Sequence, residues 1–105
     1  MNAAQHHHTA LYVQDLEWYL SFFRDVFGMS VTLSEGDPQR PDQVWLDGDL
    51  QLIRSKDSEC TLAHLALKPE NAEQAISMAQ SLGIGSLARG ENWLRLSDGL
   101  VLEIM

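Results

Sequence analysis

The chain has 105 residues, of which 45 % are hydrophobic and 21 % charged, as expected of one ordinary globular domain. The net charge of −8 repels phosphate backbones and anionic lipids, so nucleic acid and membrane surfaces are not expected as partners. A single cysteine, Cys60, excludes an internal disulfide, and the first residues lack the pattern of a secretory signal, so we expect a cytoplasmic protein.

The first half of the chain opens with side chains that alternate in polarity from His7 to Val13, which predicts a strand. Asp15 is the predicted N-cap of a helix whose apolar residues recur at helical spacing as far as Phe27, and Gly28 is its predicted end. The remaining predicted segments are, in order, strand Met29–Leu33, loop Ser34–Asp42, strand Gln43–Leu46, turn Asp47–Asp49 and strand Leu50–Arg54.

The second half repeats this order of signals. Leu62–Leu67 alternates like a strand, a helix is predicted to begin at Pro69–Asn71, and Gly83 is predicted to end it. The segments predicted after it are strand Ile84–Ala88, strand Trp93–Leu96, turn Ser97–Gly99 and strand Leu100–Met105. We therefore predict one α+β domain of two tandem β-α-β-β-β modules, the first at about residues 6–55 and the second at about 60–105.

The two-residue period of the strands predicts which side chains share a face. If each helix covers one face of its sheet, the opposite faces can form a curved sheet around a cavity. Leu11, Val13 and His7 are predicted on the helix side of the first strand, and His6 on the opposite side. The side chains predicted to line the cavity include His8, Ala10, Tyr12, Gln51, His64 and Glu103.

Three segments resemble the vicinal oxygen chelate proteins, which include glyoxalases, bleomycin resistance proteins and extradiol dioxygenases. HHTALYVQDLEWYLSFFRDVFGMSV resembles the opening of their first module, LAHLALKPENAEQAISMAQSLGI the opening of their second, and SDGLVLEIM their closing strand. The resemblance implies that His8, His64 and Glu103 bind a divalent metal. Glyoxalase I enzymes commonly have a fourth ligand, often glutamate, at the position that Gln51 occupies here. A carboxamide can ligate but cannot act as a base, which counts against glyoxalase I activity.

The resemblance further implies a metal-dependent enzyme, either an isomerase or lyase, a dioxygenase or a thiol transferase, with Glu103 as a catalytic residue. Its small oxygenated substrate would chelate Fe, Mn, Ni or Zn through two oxygens. The alternative is a non-catalytic drug-binding protein of the bleomycin-resistance type, which the acidity and the aromatic residues would also suit. Two further alternatives concern the histidine run: His6 could be a ligand, or the run could be a tag remnant.

Four side chains are predicted to contact the substrate besides Gln51: Tyr12, Trp45, Trp93 and Arg95. Aromatic walls with one guanidinium suit a planar or anionic ligand, although each residue could instead lie on an exposed strand face. Arg89 is predicted to be solvated. The first helix has more large apolar residues than one face can bury, Trp18 and Phe22 among them, which predicts a homodimer unless the loop Ser34–Asp42 covers them.

Overall fold

A computed structural model describes residues 2–56 and 60–105. Over these residues the order strand, helix and three strands occurs twice, so the predicted α+β class and the repeated module are confirmed. The elements are β1 (Ala4–Val13), α1 (Leu16–Phe27), β2 (Val31–Asp37), β3 (Arg40–Leu46), β4 (Leu50–Arg54), β5 (Thr61–Pro69), α2 (Ala72–Ser81), β6 (Ser86–Leu87), β7 (Gly90–Arg95) and β8 (Val101–Ile104).

The chain divides into two compact units, which we name by their helices. The α1 unit comprises Thr9–Ala63, and its strands follow the order β2-β3-β4-β1. The α2 unit comprises Met1–His8 and His64–Met105, with strands β5-β8-β7-β6, and it also contains the first residues of β1. In each unit one pair of strands is parallel, β1 with β4 and β5 with β8, and the pairs that follow along the chain are antiparallel.

The predicted helix caps are present in both units. Asp15 Oδ1 accepts a hydrogen bond from the Trp18 backbone N–H at 3.1 Å, and Gly28 ends α1 in the left-handed conformation. Asn71 Oδ1 accepts the Gln74 backbone N–H at 3.0 Å at the start of α2. Because these caps satisfy backbone groups that lack a partner within the helix, they determine where each helix starts and ends.

Alternation along the strands builds the core of the α1 unit. Residues on one face of its sheet pack with α1. The fully or nearly fully buried residues of this cluster, from the sheet and from α1, are Val13, Leu16, Val44, Leu46 and Leu52. Leu11 and Leu50 pack against this cluster, which confirms the helix side predicted for β1 and β4. The intervening residues of β3 and β4, Trp45 and Gln51, are direct partners in the register and so share the opposite face.

The predicted loop Ser34–Asp42 is wrong, because β2 and β3 form a hairpin across most of it. Pro41 has no N–H for a ladder, but the pairing of β3 with β4 begins only at Gln43, so that donor is not needed. Gly36, opposite Pro41, has φ of 98°, and an added Cβ would lie 2.8 Å from the Asp42 backbone nitrogen. A bulge at Glu35/Gly36 therefore lets proline and glycine lie within a strand pair.

The α2 unit departs from prediction after its helix. The strand expected at Ile84–Ala88 is only Ser86–Leu87, and β7 begins at Gly90 rather than at Trp93. The register explains both changes, because Ser86 pairs with Leu94 and Leu87 with Gly90, so the hairpin must turn at Ala88 and Arg89. Within the described part of the chain, neither helix is long and apolar enough to cross a bilayer.

Candidate metal centre

Three side chains of the α2 unit converge on one point. His8 Nε2 lies 3.2 Å from His64 Nε2 and 3.4 Å from Glu103 Oε1, and His64 Nε2 lies 3.5 Å from the same oxygen. Their side chains are 11 %, 7 % and 18 % exposed, respectively. Among the described residues, these three form the group of histidine and carboxylate side chains close enough to share an ion. The three residues that the family resemblance implies as ligands are thus brought together.

The strand register brings His64 and Glu103 to one place. Strands β5 and β8 run parallel with Ala66 opposite Glu103, and His64 precedes Ala66 by two residues, so its side chain lies on the same face. His8 is near the middle of β1, and its imidazole meets that of His64 edge to face, with ring centroids 5.3 Å apart. The donor atoms therefore belong to strands, which hold side chains more rigidly than loops do.

The triangle of donor atoms fits a transition metal. Ligand atoms at about 2.1 Å from a shared ion lie about 3.0 Å apart at an angle of 90° and about 3.4 Å apart at the tetrahedral angle. The observed 3.2, 3.4 and 3.5 Å fall close to this range. Without an ion, one imidazole N–H must donate to the other, because two lone pairs and a carboxylate oxygen repel each other at such distances.

Burial favours the uncharged form of two of these groups. It lowers the pKa of His64 to about 4, and the charges of His8 and Arg89 act in the same direction. Burial raises the pKa of Glu103, although the charges of His7 and Arg89 oppose this. At neutral pH His64 is therefore a neutral imidazole, the form in which histidine binds metals.

His7 contacts His8 directly, although alternation along a strand predicted opposite sides. The two Nδ1 atoms are 2.7 Å apart, and the rings meet edge to face with centroids 5.0 Å apart. If His8 donates its Nδ1–H to His7, the Nε2 of His8 keeps its lone pair toward His64 and Glu103. His7 thus belongs to the surroundings of the cluster, whereas His6 is exposed and is not part of the cluster among the described residues.

Trp93 and Arg89 form a wall beside His64. The Trp93 ring meets His64 edge to face at 4.8 Å between centroids, and Trp93 pairs with Glu103 in the β7–β8 register. The Arg89 guanidinium carbon lies 4.4 Å from the Trp93 ring centroid, in cation–π geometry. Arg89 is exposed. Arg95, which the sequence predicts in the site, is also exposed and lies further along β7, opposite Val101.

The other predicted substrate residues, Tyr12, Trp45 and Gln51, belong to the α1 unit. Tyr12 is 36 % exposed, Trp45 is half-buried, and Gln51 is buried at 6 % exposure. Gln51 donates to Gln43 Oε1 at 2.7 Å, and Gln43 in turn donates to a Glu35 carboxylate oxygen at 2.7 Å. The buried carboxamide of Gln51 is thus held by a chain of hydrogen bonds that ends on an exposed carboxylate.

The register also shows that Gln51 is the repeat equivalent of Glu103. Gln51 pairs with Ala10, two residues after His8, just as Glu103 pairs with Ala66, two residues after His64. The two modules therefore place Gln51 and Glu103 at equivalent positions. Sequence reasoning missed His7 and Arg89 at the cluster, because alternation assigns adjacent residues to opposite faces and no local pattern marks an arginine in a turn.

Comparison with known proteins identifies the family. A model of the Glyoxalase/Bleomycin resistance protein/Dioxygenase superfamily matches residues 5–94. No curated protein matches the chain.

Similar solved structures share the fold at low sequence identity. A 2,3-dioxygenase, LapB from Pseudomonas sp. KL28, superposes with a TM-score of 0.74 at 17 % identity, over 95 % of this chain and 41 % of that one. The Mn(II)-bound glyoxalase from Novosphingobium aromaticivorans gives 0.71 at 18 %, over 98 % and 38 %. A methylmalonyl-CoA epimerase variant from Streptomyces coelicolor gives 0.70 at 19 %, over 95 % and 92 %.

The chain spans less than half of the dioxygenase and glyoxalase chains but nearly all of the epimerase. The repeated module and the match over residues 5–94 agree with the likeness read from the sequence. This chain belongs to the Glyoxalase/Bleomycin resistance protein/Dioxygenase superfamily.

Proposed function

We propose that this protein is a metal-dependent enzyme that acts on a small oxygenated substrate, with His8, His64 and Glu103 as the ligands of one divalent ion. The observation that supports this most directly is the triangle of donor atoms at 3.2 to 3.5 Å. Two imidazoles and one carboxylate on one side of an ion leave the other positions open to substrate oxygens. This donor set suits Fe, Mn, Ni or Zn, and the Mn(II) of the glyoxalase neighbour supports an ion of this kind.

When bound, such an ion polarises the oxygens that chelate it and stabilises the negative charge that develops on them. The protein's own groups contribute orientation and shielding. Burial keeps the His64 imidazole neutral, and the Trp93 ring beside it excludes water from one side. A ring held at Nδ1 by His7 presents Nε2 of His8 in a fixed direction.

Among the activities of the structural neighbours, epimerisation of an acyl thioester is the first to test. The methylmalonyl-CoA epimerases match this chain over 92–94 % of their length in several structures, whereas it covers only about two fifths of the other two enzymes. Extradiol cleavage and hemithioacetal isomerisation complete the panel. The alternative, a drug-binding protein without chemistry, would show ligand binding that does not depend on the metal.

Metal titration by calorimetry, with elemental analysis of the loaded protein, tests the proposal. We expect the wild type to bind one equivalent of Zn(II) or Mn(II). His64→Ala should bind the same ion at least about a hundredfold more weakly, a larger loss than the 10–100-fold typical when a residue that only hydrogen-bonds to a metal ligand is removed. His6→Ala is the matched control, since it removes an exposed imidazole from the same histidine run. Equal affinity in wild type and His64→Ala, or an equal loss in His6→Ala, would refute the ligand assignment.

A further inference from the structure

We propose that Arg89 binds a carboxylate of the substrate, so that the enzyme acts on anionic substrates that chelate the metal through two other oxygens. This inference rests on the proposed function and deepens it by naming the substrate class. It also assigns the substrate-binding guanidinium to Arg89, in the turn between β6 and β7, instead of to Arg95, which the sequence predicts.

The first observation is the geometry of the wall. Arg89 stacks on Trp93 at 4.4 Å, and Trp93 meets His64 at 4.8 Å. A guanidinium carries five N–H donors in one plane and can hold a carboxylate through two parallel hydrogen bonds. From its exposed place over Trp93, the Arg89 guanidinium can donate two parallel hydrogen bonds to a carboxylate of a ligand.

The second observation is that, within the described residues, no ion pair involves Arg89. The chain has 15 acidic residues against 7 basic ones, so an arginine has many possible carboxylate partners. Arg54 and Arg24 are paired with Glu17 and Asp25, whereas Arg40 and Arg95 form no ion pair among the described residues. Over residues 2–56 and 60–105, however, no carboxylate forms an ion pair with Arg89. A cation that forms no ion pair over these described residues, on the ring that contacts His64, attracts an anionic ligand.

The backbone supports this position. Gly90 directly follows Arg89, and a Cβ there would lie 2.8 Å from Asn92 Oδ1 and 3.5 Å from the Trp93 ring. The missing side chain lets the turn lie close against Asn92 and Trp93 at the start of β7. The positive charge of Arg89 also acts on both His64 and Glu103, so it is close enough to be felt at the cluster.

The test compares chelators that differ by one carboxylate. Catechol, 2,3-dihydroxybenzoate and 3,4-dihydroxybenzoate all offer two vicinal oxygens, and their dissociation constants for the Zn(II)-loaded protein can be measured by calorimetry. For each protein we compare the dissociation constant of catechol with that of each dihydroxybenzoate. We expect this ratio to be at least about tenfold larger in the wild type than in Arg89→Gln for one of the two dihydroxybenzoates, as one charge-assisted hydrogen-bond pair would give. Because the carboxylate also changes the acidity of the catechol, the ratio in the variant serves as the reference.

Arg95→Gln is the matched comparison, because it removes the same charge from β7, the strand that the Arg89 turn leads into. Loss of the carboxylate preference in Arg95→Gln but not in Arg89→Gln would overturn the inference in favour of Arg95. An equal preference in all three proteins would overturn it as well, while leaving the metal site intact. A wild type that takes up neither zinc nor manganese would instead refute the proposed function, and this inference with it.

Discussion

The buried imidazole of His64 should make the stability of the metal-free protein depend on pH in a predictable direction. Its pKa is lowered to about 4 in the folded state, against an ordinary value of 6.5. Below pH 6.5 the unfolded chain takes up a proton on this ring, whereas the folded protein does not do so until about pH 4. Acid therefore favours the unfolded state, and stability present above pH 6.5 is lost as the pH falls toward 4.

The size of this effect follows from the two pKa values. For a shift from 6.5 to about 4, the linkage relation gives a loss of about 2 kcal/mol between pH 8 and pH 5. Since 105 residues make a small domain, this corresponds to a fall in melting temperature on the order of 10 °C. The raised pKa of Glu103 acts in the opposite direction, because the folded state then holds a proton that the unfolded state has lost.

The measurement must therefore separate the two groups. Urea unfolding in the presence of a chelator, at several pH values from 8 to 5, would compare Glu103→Gln with the double variant Glu103→Gln/His64→Gln. The lowered pKa of His64 arises from burial, His8 and Arg89, and Glu103→Gln leaves these causes in place. We expect the single variant to lose about 2 kcal/mol more than the double variant over this range. Parallel stability curves would show that His64 titrates normally and that our description of its surroundings is wrong.

Three further predictions concern the core, the assembly and the activity. Leu52→Ala, at a fully buried position, should cost about 2–5 kcal/mol in urea unfolding, whereas Leu33→Ala, 55 % exposed, should cost under about 1 kcal/mol; similar losses would contradict the assigned core. Trp18 is 56 % exposed and stacks on Phe22, so we expect a homodimer that Trp18→Glu disrupts, and light scattering that gives the mass of one chain for the wild type would exclude it. Because Gln51 cannot act as a base, hemithioacetal isomerisation should be weak with any of several metals, and robust turnover would show that Glu103 suffices.

The alternative to a dimer, in which the segment Ser34–Asp42 covers the helix, is not what the structure shows. That segment forms much of the β2–β3 hairpin, and Trp18 keeps more than half of its surface exposed. Phe27, at 62 % exposure, adds to the same apolar surface of α1. The oligomeric state itself stays a prediction.

Local signals along the sequence were enough to predict the repeated module and the strands that carry the cluster. An N-cap such as Asp15 and a terminal glycine such as Gly28 act within a few residues of themselves, so their effect can be read without any tertiary contact. The two-residue period of β5 and β8 likewise predicts which side His64 and Glu103 face. The family likeness then indicated that these side chains act together with His8.

Tertiary structure decided the features that depend on register between distant segments. Pro41 and Gly36 read as loop residues, yet they lie in a hairpin because the pairing of β3 with β4 stops short of the proline and a bulge accommodates the glycine. Arg89 reads as a solvated charge and is exposed as expected, but only the turn into β7 places it over Trp93. The contact of His7 with His8 depends on ring rotamers that the strand period does not specify. Sequence periodicity predicts the face of the strand on which a side chain lies. The residue that this side chain contacts is set by packing across the whole unit.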